Sequence, residues 1–124
     1  MIKDDIYTFI SGISDITDLV PITQMGWIDC DNNTDYPRIV FEKISDPPLY
    51  QANDRWTRWR FYCFSNLKVE CQEIGEALRS ALHGLQDDMG DTYVNVFLID
   101  ESEVSRQEDI YEKYLDFRII YVGE

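Results

Sequence analysis

The stretch Arg55–Leu85 decides the fold: RWTRWRFYCFS over residues 55–65, then LKVECQEIGEALRSALHGL over residues 67–85. In an extended chain successive side chains point to opposite sides. The first part therefore divides into Trp56, Arg58, Arg60, Tyr62 and Phe64 on one side and Thr57, Trp59, Phe61 and Cys63 on the other. Both sets hold bulky apolar groups, as a central strand requires. The second part places Leu67, Cys71, Ile74, Leu78, Ala81, Leu82 and Leu85 on one helical stripe, with Glu70, Glu73, Glu76 and Arg79 outside it. That stripe needs a sheet to cover, and one face of the aromatic strand is expected to meet it.

Toward the N-terminus, Ile2, Ile6, Phe9, Ile10 and Ile13 recur at three- and four-residue intervals and predict an amphipathic helix. Asp4 and Asp5 fall in its first turn and Gly12 at its end. Ser14 or Asp15 is placed to cap a short further turn through Ile16 and Leu19 that Pro21 stops. Residues 22–28 read as a weak strand interrupted by Gly26, and the DCDNNTDYP that follows is turn-rich. Asp29, Asp31, Asn33 and Asp35 alternate as hard-cation ligands do. A calcium loop counted from Asp29 requires Gly and Glu where Thr34 and Val40 stand, so the segment reads as a solvated loop. Pro37 opens the strand RIVFEKIS, and DPPLYQAND, with two prolines and no period, reads as a long loop. Its Leu49 and Tyr50 either contact a partner or fold back onto their own domain.

Beyond the helix, Gly84 is placed to end it and DDMGD reads as a turn. TYVNVFLIDE reads as a strand, SEVSRQEDIYE as a polar connection and YLDFRIIYVG as the last strand. In that last strand Leu115, Phe117, Ile119 and Tyr121 oppose Asp116 and Arg118. The expected fold class is α+β, in a single domain over residues 1–124. It comprises a small, mostly antiparallel sheet of about four strands with an N-terminal helix and one main helix packed on it. The face bearing Trp56, Arg58, Arg60 and Tyr62 is too apolar for water alone. It is expected to be covered by the N-terminal segment or by another subunit.

Composition bears on partners. Against 11 basic residues stand 24 acidic ones, a net charge of −13, which disfavours binding nucleic acid through its phosphates. Arg55, Arg58 and Arg60 form the only local basic cluster. Arginine stems covering apolar surface, with heads paired to surplus carboxylates, explain it better than a nucleic-acid platform. Cys30, Cys63 and Cys71 make no Cys-x-x-Cys pair and read as reduced core residues, and with one histidine in the chain no zinc site is expected. No stretch approaches the roughly twenty apolar residues of a membrane span, and MIKDDIYTF lacks the basic-then-apolar run of a signal peptide.

Chemistry is sparse. His83 falls on the last turn of the main helix, where a cation complements the dipole, with no specified nucleophile or orienting partner. Asp100, Glu101 and Glu103, with Glu108 and Asp109, are a candidate divalent-cation cluster, yet among 24 acids such clusters arise without function. The glycine patterns of phosphate and dinucleotide loops and of hydrolase elbows are absent. No catalytic residue, cofactor or metal is expected, and the chain reads as a binding or assembly module.

Taken together, the N-terminal helix, PRIVFEKIS with its Pro-Leu-Tyr loop, the aromatic strand, EALRSALHGL and the closing YEKYLDFRIIY resemble the small tail-completion, or tail-terminator, proteins of long non-contractile-tailed bacteriophages. The resemblance implies a ring, usually hexameric, that caps the finished end of the tail tube, stops its polymerisation and meets the head connector. The implied partners are further copies of the chain, the tail-tube protein and the head-connector protein, with no membrane. The implied location is the host cytoplasm during assembly and then the head-proximal end of the virion tail. Candidate subunit or tube contacts on this basis are Pro47, Pro48, Leu49 and Tyr50, the strand residues Trp56, Arg58 and Arg60, and Arg106, Glu108 and Asp109. Two other classes stand beside it: an acidic inhibitor that mimics nucleic acid toward a basic partner, and a metal-dependent hydrolase using the acids at 100–103.

Overall fold

A computed structural model describes residues 2–28, 35–46, 54–90 and 92–122. The acidic loop residues Asp29, Cys30, Asp31 and Asn33 and the candidate contacts Pro47, Pro48, Leu49 and Tyr50 lie outside the described residues. The helices are α1 (Ile2–Ser11), α2 (Ser14–Thr17) and α3 (Lys68–Leu82). The strands are β1 (Met25–Trp27), β2 (Arg38–Ser45), β3 (Asp54–Ser65), β4 (Gln86–Met89), β5 (Thr92–Glu101), β6 (Ser105–Gln107) and β7 (Ile110–Val122). No helix among the described residues is long and apolar enough to cross a membrane.

The strands form one seven-stranded sheet in the order β1-β2-β3-β7-β5-β4, with β6 also paired to β7. β1 runs parallel to β2, and the other pairs are antiparallel. This corrects the expectation of a small antiparallel sheet of about four strands: the sheet is larger and mixed. The additional strands are short and carry little apolar periodicity, so pairing with a neighbour makes them strands rather than their own propensity. Gly26 stands within β1 and pairs with Val40, and Gln86, Asp87 and Asp88 of β4 are exposed, with only Met89 buried. Ser105, Arg106 and Gln107 of β6 are all exposed. The connection expected between the last two long strands is thus a β6–β7 hairpin, and the turn expected at DDMGD is strand β4 followed by a tight turn at Gly90.

β3 has hydrogen-bonded neighbours on both edges, β2 and β7, as its two-sided apolar content requires. Its alternation is visible in the burial: Thr57, Trp59, Phe61, Cys63 and Ser65 are buried, and the residues between them are not. The buried side joins Phe41, Val94, Val96, Leu115, Phe117 and Ile119 beneath all three helices. Aromatic rings run across it. Phe41 meets Phe61 edge-on at 5.4 Å, Phe61 meets Phe117 at 5.5 Å, and Trp27 touches both Phe41 and Trp59. Such contacts add about 0.5–1.5 kcal/mol each beyond the area they bury.

Polar atoms in this core are satisfied locally. The indole N–H of Trp59 donates to Thr57 Oγ1 at 2.6 Å, and that hydroxyl donates to the Ile119 carbonyl at 2.7 Å. Ser65 Oγ accepts the Leu67 N–H and donates to Glu70, which fixes the entry into α3. The Cys71 thiol donates to the Cys63 carbonyl at 3.3 Å, and both cysteines are free and buried. Burial pushes both thiols up, Cys71 to about 11.

α3 buries Cys71, Ile74, Gly75, Leu78 and Leu82, a stripe one turn shorter than the sequence suggests. Leu67 precedes the helix and is exposed. Gly75 stands on the buried side, where a Cβ would fall 2.8 Å from Lys113 Cε and force that side chain to shift. Lys113 lies on β7 beneath the helix, with its ammonium held by Glu101 at 2.8 Å and by the Ser102 carbonyl.

α1 packs on the same side as α3, burying Ile2, Ile6 and Ile10. The N-terminal segment therefore does not cover the opposite face, contrary to one of the two covers expected for it. Asp5 of α1 accepts from Thr92 Oγ1 at 2.8 Å, and a Cβ at Gly90, where φ is +64°, would collide with the same carboxylate. This ties the first helix to the β4–β5 turn.

Thr57→Val keeps the volume of the side chain and removes the acceptor of the Trp59 indole. A buried donor left without a partner costs about 1–3 kcal/mol. Urea unfolding should show a loss of that size with an unchanged slope against denaturant; a loss below about 0.5 kcal/mol would rule out the assigned hydrogen-bond chain.

Candidate functional site

The face of the sheet away from the helices is built from alternate residues of its four long strands. Register aligns them in rows: Arg38, Phe64 and Glu112; Val40, Tyr62 and Tyr114; Glu42, Arg60, Asp116 and Asp100; Ser45, Arg58, Arg118 and Phe97; and Trp56, Ile120 and Asn95. Four of the seven arginines of the chain stand here.

At the centre Asp116 is fully buried although it faces away from the helices. Its cover is two guanidinium groups. Arg58 Nε donates to Asp116 Oδ2 at 3.0 Å and Arg60 Nε to Oδ1 at 2.7 Å, each with a second bond from its terminal nitrogen. Burial alone would raise the carboxyl, but the hydrogen bonds and charges of Arg60 and Arg58 outweigh it and hold it below the usual carboxylate range. The bond to Asp116 in turn keeps Arg60 firmly protonated.

Aromatic rings extend the cover. The Arg60 guanidinium lies 4.2 Å from the Tyr114 ring centroid, close enough for a cation–π contact. Tyr62 stacks on Phe64 at 6.0 Å and donates its hydroxyl to Glu42 at 2.8 Å. Burial is the leading cause that raises the Tyr62 phenol. This half of the face is closed by its own side chains, whereas Trp56, Phe97 and Tyr93 remain exposed in the other half.

Of the residues singled out in the sequence, Trp56, Arg58 and Arg60 do share this face. Arg106, Glu108 and Asp109 stand apart, at the tip of the β6–β7 hairpin. There Arg106 donates to the Glu108 carbonyl at 2.7 Å and lies 3.7 Å from an almost fully exposed Asp109. Glu108 adopts a left-handed φ of 57°, unusual for a residue with a side chain. Asp46 and Asp54, on either side of segment 47–53, are at the opposite end of the sheet from this tip, because Ser65 pairs with Tyr111 and Asp54 with Val122. The described residues that flank segment 47–53 are therefore remote from the β6–β7 tip.

The candidate acids at 100–103 also separate. Asp100 lies 3.9 Å from Arg58 on the helix-free face, while Glu101 pairs with Lys113 and Arg79 on the other. No group of three metal-ligating side chains forms among the described residues. His83 has a structural use that differs from the expected dipole contact, since its Nδ1 accepts the Leu98 N–H at 3.0 Å.

A cleft of about 550 Å³ opens between α1 and the β1–β3 edge. Lys3 lies 4.7 Å from the Trp27 ring there and Lys43 5.6 Å from Trp59. Its Asp46 is paired to both Lys43 and Arg55, whose hydrogen bonds overcome the effect of burial and hold it below the usual range. This cleft is not legible in the sequence, because its lining comes from five segments far apart in the chain.

Asp116→Asn should lower stability near pH 7 by about 2–3 kcal/mol, because two guanidinium groups lose the anion that holds them together. The folded carboxyl is shifted down, so its contribution is complete above the unfolded value of about 4 and is lost as pH falls through the folded one. The gap between wild type and variant in urea unfolding should therefore narrow at about pH 3. A gap of constant size would show that Asp116 carries no depressed carboxyl.

No family model matches this chain, and no curated protein matches it. Among solved structures, a chain in "Virion of native gene transfer agent (GTA) particle" has a similar fold, with a TM-score of 0.76 at 13% identity, covering 95% of this chain and 92% of that one.

Proposed function

We propose that the chain is a structural component of a phage-type virion, which caps the end of the tail tube as a ring and forms part of the head–tail joint. The observation that carries this reading is the likeness of fold over nearly the full length of both chains to a protein of a gene transfer agent virion. At 13% identity that likeness concerns the fold. The step to a tail cap rests on the resemblance of the ordered motifs to tail-completion proteins. The geometry is consistent with such a role. A ring subunit needs two different contact surfaces, and this domain has an arginine–aromatic sheet face on one side and a helix layer on the other.

The test is to incubate the purified protein with tail tubes of its own particle and image the ends. A ring at one end and arrested elongation are expected; bare ends that keep growing would reject the reading. A folded chain carrying Leu49→Asp and Tyr50→Asp should lose capping. Retained capping would remove segment 47–50 from the contact.

A further inference from the structure

β4 ends the sheet on one side, and with four residues it pairs with only the first part of β5. The outer edge therefore passes from β4 to the link at 84–85 and then to β5 itself. An edge of this kind offers backbone N–H and C=O groups to any extended chain, and proteins that leave one open pair with each other through it.

Alternation along the strands shows which N–H groups point outward. Gly84 N–H donates to the Val96 carbonyl and Val96 N–H to the Leu85 carbonyl, so Val96 turns its backbone away from β7. Two residues on, Leu98 does the same. Two residues back, Val94 faces β4 opposite Asp87, which leaves the backbone of Asp88 pointing outward. The register shift between Leu98 and Asp100 resets the count: Asp100 turns toward Asp116 of β7 and Glu101 outward.

Each of these three N–H groups is taken by a side chain. Asp88 N–H donates to Asp87 Oδ1 at 2.7 Å, Leu98 N–H to His83 Nδ1 at 3.0 Å and Glu101 N–H to Asp100 Oδ1 at 2.9 Å. The acceptors come from three places in the chain: His83 at the C-cap of α3, Asp87 on β4 and Asp100 on β5. Each stands where the carbonyl of an added strand would have to sit. The carboxylates of Asp87, Asp88 and Asp100 also repel a like-charged edge, but an occupied N–H resists a strand of any charge.

We propose that His83, Asp87 and Asp100 close the β4–β5 edge to strand addition, so that copies of this chain do not pair sheet to sheet here and any assembly uses other surfaces. This holds whether or not the chain caps tails.

Two matched variants separate the hydrogen bonds from the charges. Asp87→Asn with Asp100→Asn removes both charges and keeps an oxygen that can accept, whereas Asp87→Ala with Asp100→Ala removes charges and acceptors alike. Both chains lose the Asp100 charge near Arg58, so that contact cancels in the comparison. Hydrogen exchange followed by NMR in dilute solution should be about three- to tenfold faster at the Asp88 and Glu101 amides of the alanine chain, and adding His83→Ala should extend this to Leu98. In sedimentation velocity the alanine chain should associate about tenfold or more tightly than the asparagine chain, with these amides protected again in the oligomer. Circular dichroism confirms that each variant is folded. Equal exchange in the two chains would show that the side chains do not hold these groups and would overturn the proposal. Equal association would overturn it too, since charge or another surface would then govern. So would an alanine-chain oligomer in which the three amides stay unprotected.

Discussion

Asp116 is buried on the side of the sheet that has no helices, and this is possible only because Arg58 and Arg60 fold over it from the adjacent strand. The side chains that hide the carboxylate are long, and their stems lie across apolar surface that would otherwise be wet. One ion cluster thereby covers the middle of a face that lacks any backbone layer. Buried charge of this kind adds less to stability than well-packed apolar groups would, but removing one partner is costly. It also fixes where the rings of Tyr114 and Tyr62 lie, and so divides the face into a closed half and an open one.

The helix layer obeys a different constraint. It must approach β7 closely enough to bury Ile74 and Leu78 while Lys113 lies beneath it. Gly75 makes that approach possible, and the lysine ammonium escapes sideways to Glu101 and Ser102. The two sides differ, with an arginine–carboxylate network and aromatic rings on one and the exposed Glu73 and Glu76 of α3 on the other. The net charge of −13 hides this, because a sum carries no direction.

Much of this was legible in the chain. The alternation of β3 announced a two-sided central strand, the period of residues 68–82 announced a covering helix, and Leu115, Phe117 and Ile119 announced the partner strand. What could not be read was pairing that depends on a neighbour. Asp87 and Asp88 become strand residues only because Val94 and Tyr93 lie opposite, and Ser105–Gln107 only because β7 extends past β5. The importance of Asp116 had a faint signal, an acid inside the apolar run LDFRII, but its two arginines are 56 and 58 residues away. The missed cleft has the same cause, since distance in sequence conceals what the sheet brings together.

The bond between Asp5 and Thr92 spans 87 residues, and the centre of the sheet joins Arg60 of β3 to Asp116 of β7 across 56. During synthesis α1 emerges well before β7, with its isoleucine stripe and an incomplete surface to cover. Loop closure must therefore be met before the central pairs form, which places this domain among the slower folders of its size. Until then β3, which can pair with β2 on one edge, presents its other edge unpaired, a period in which a neighbouring chain can compete with β7 for the same hydrogen bonds.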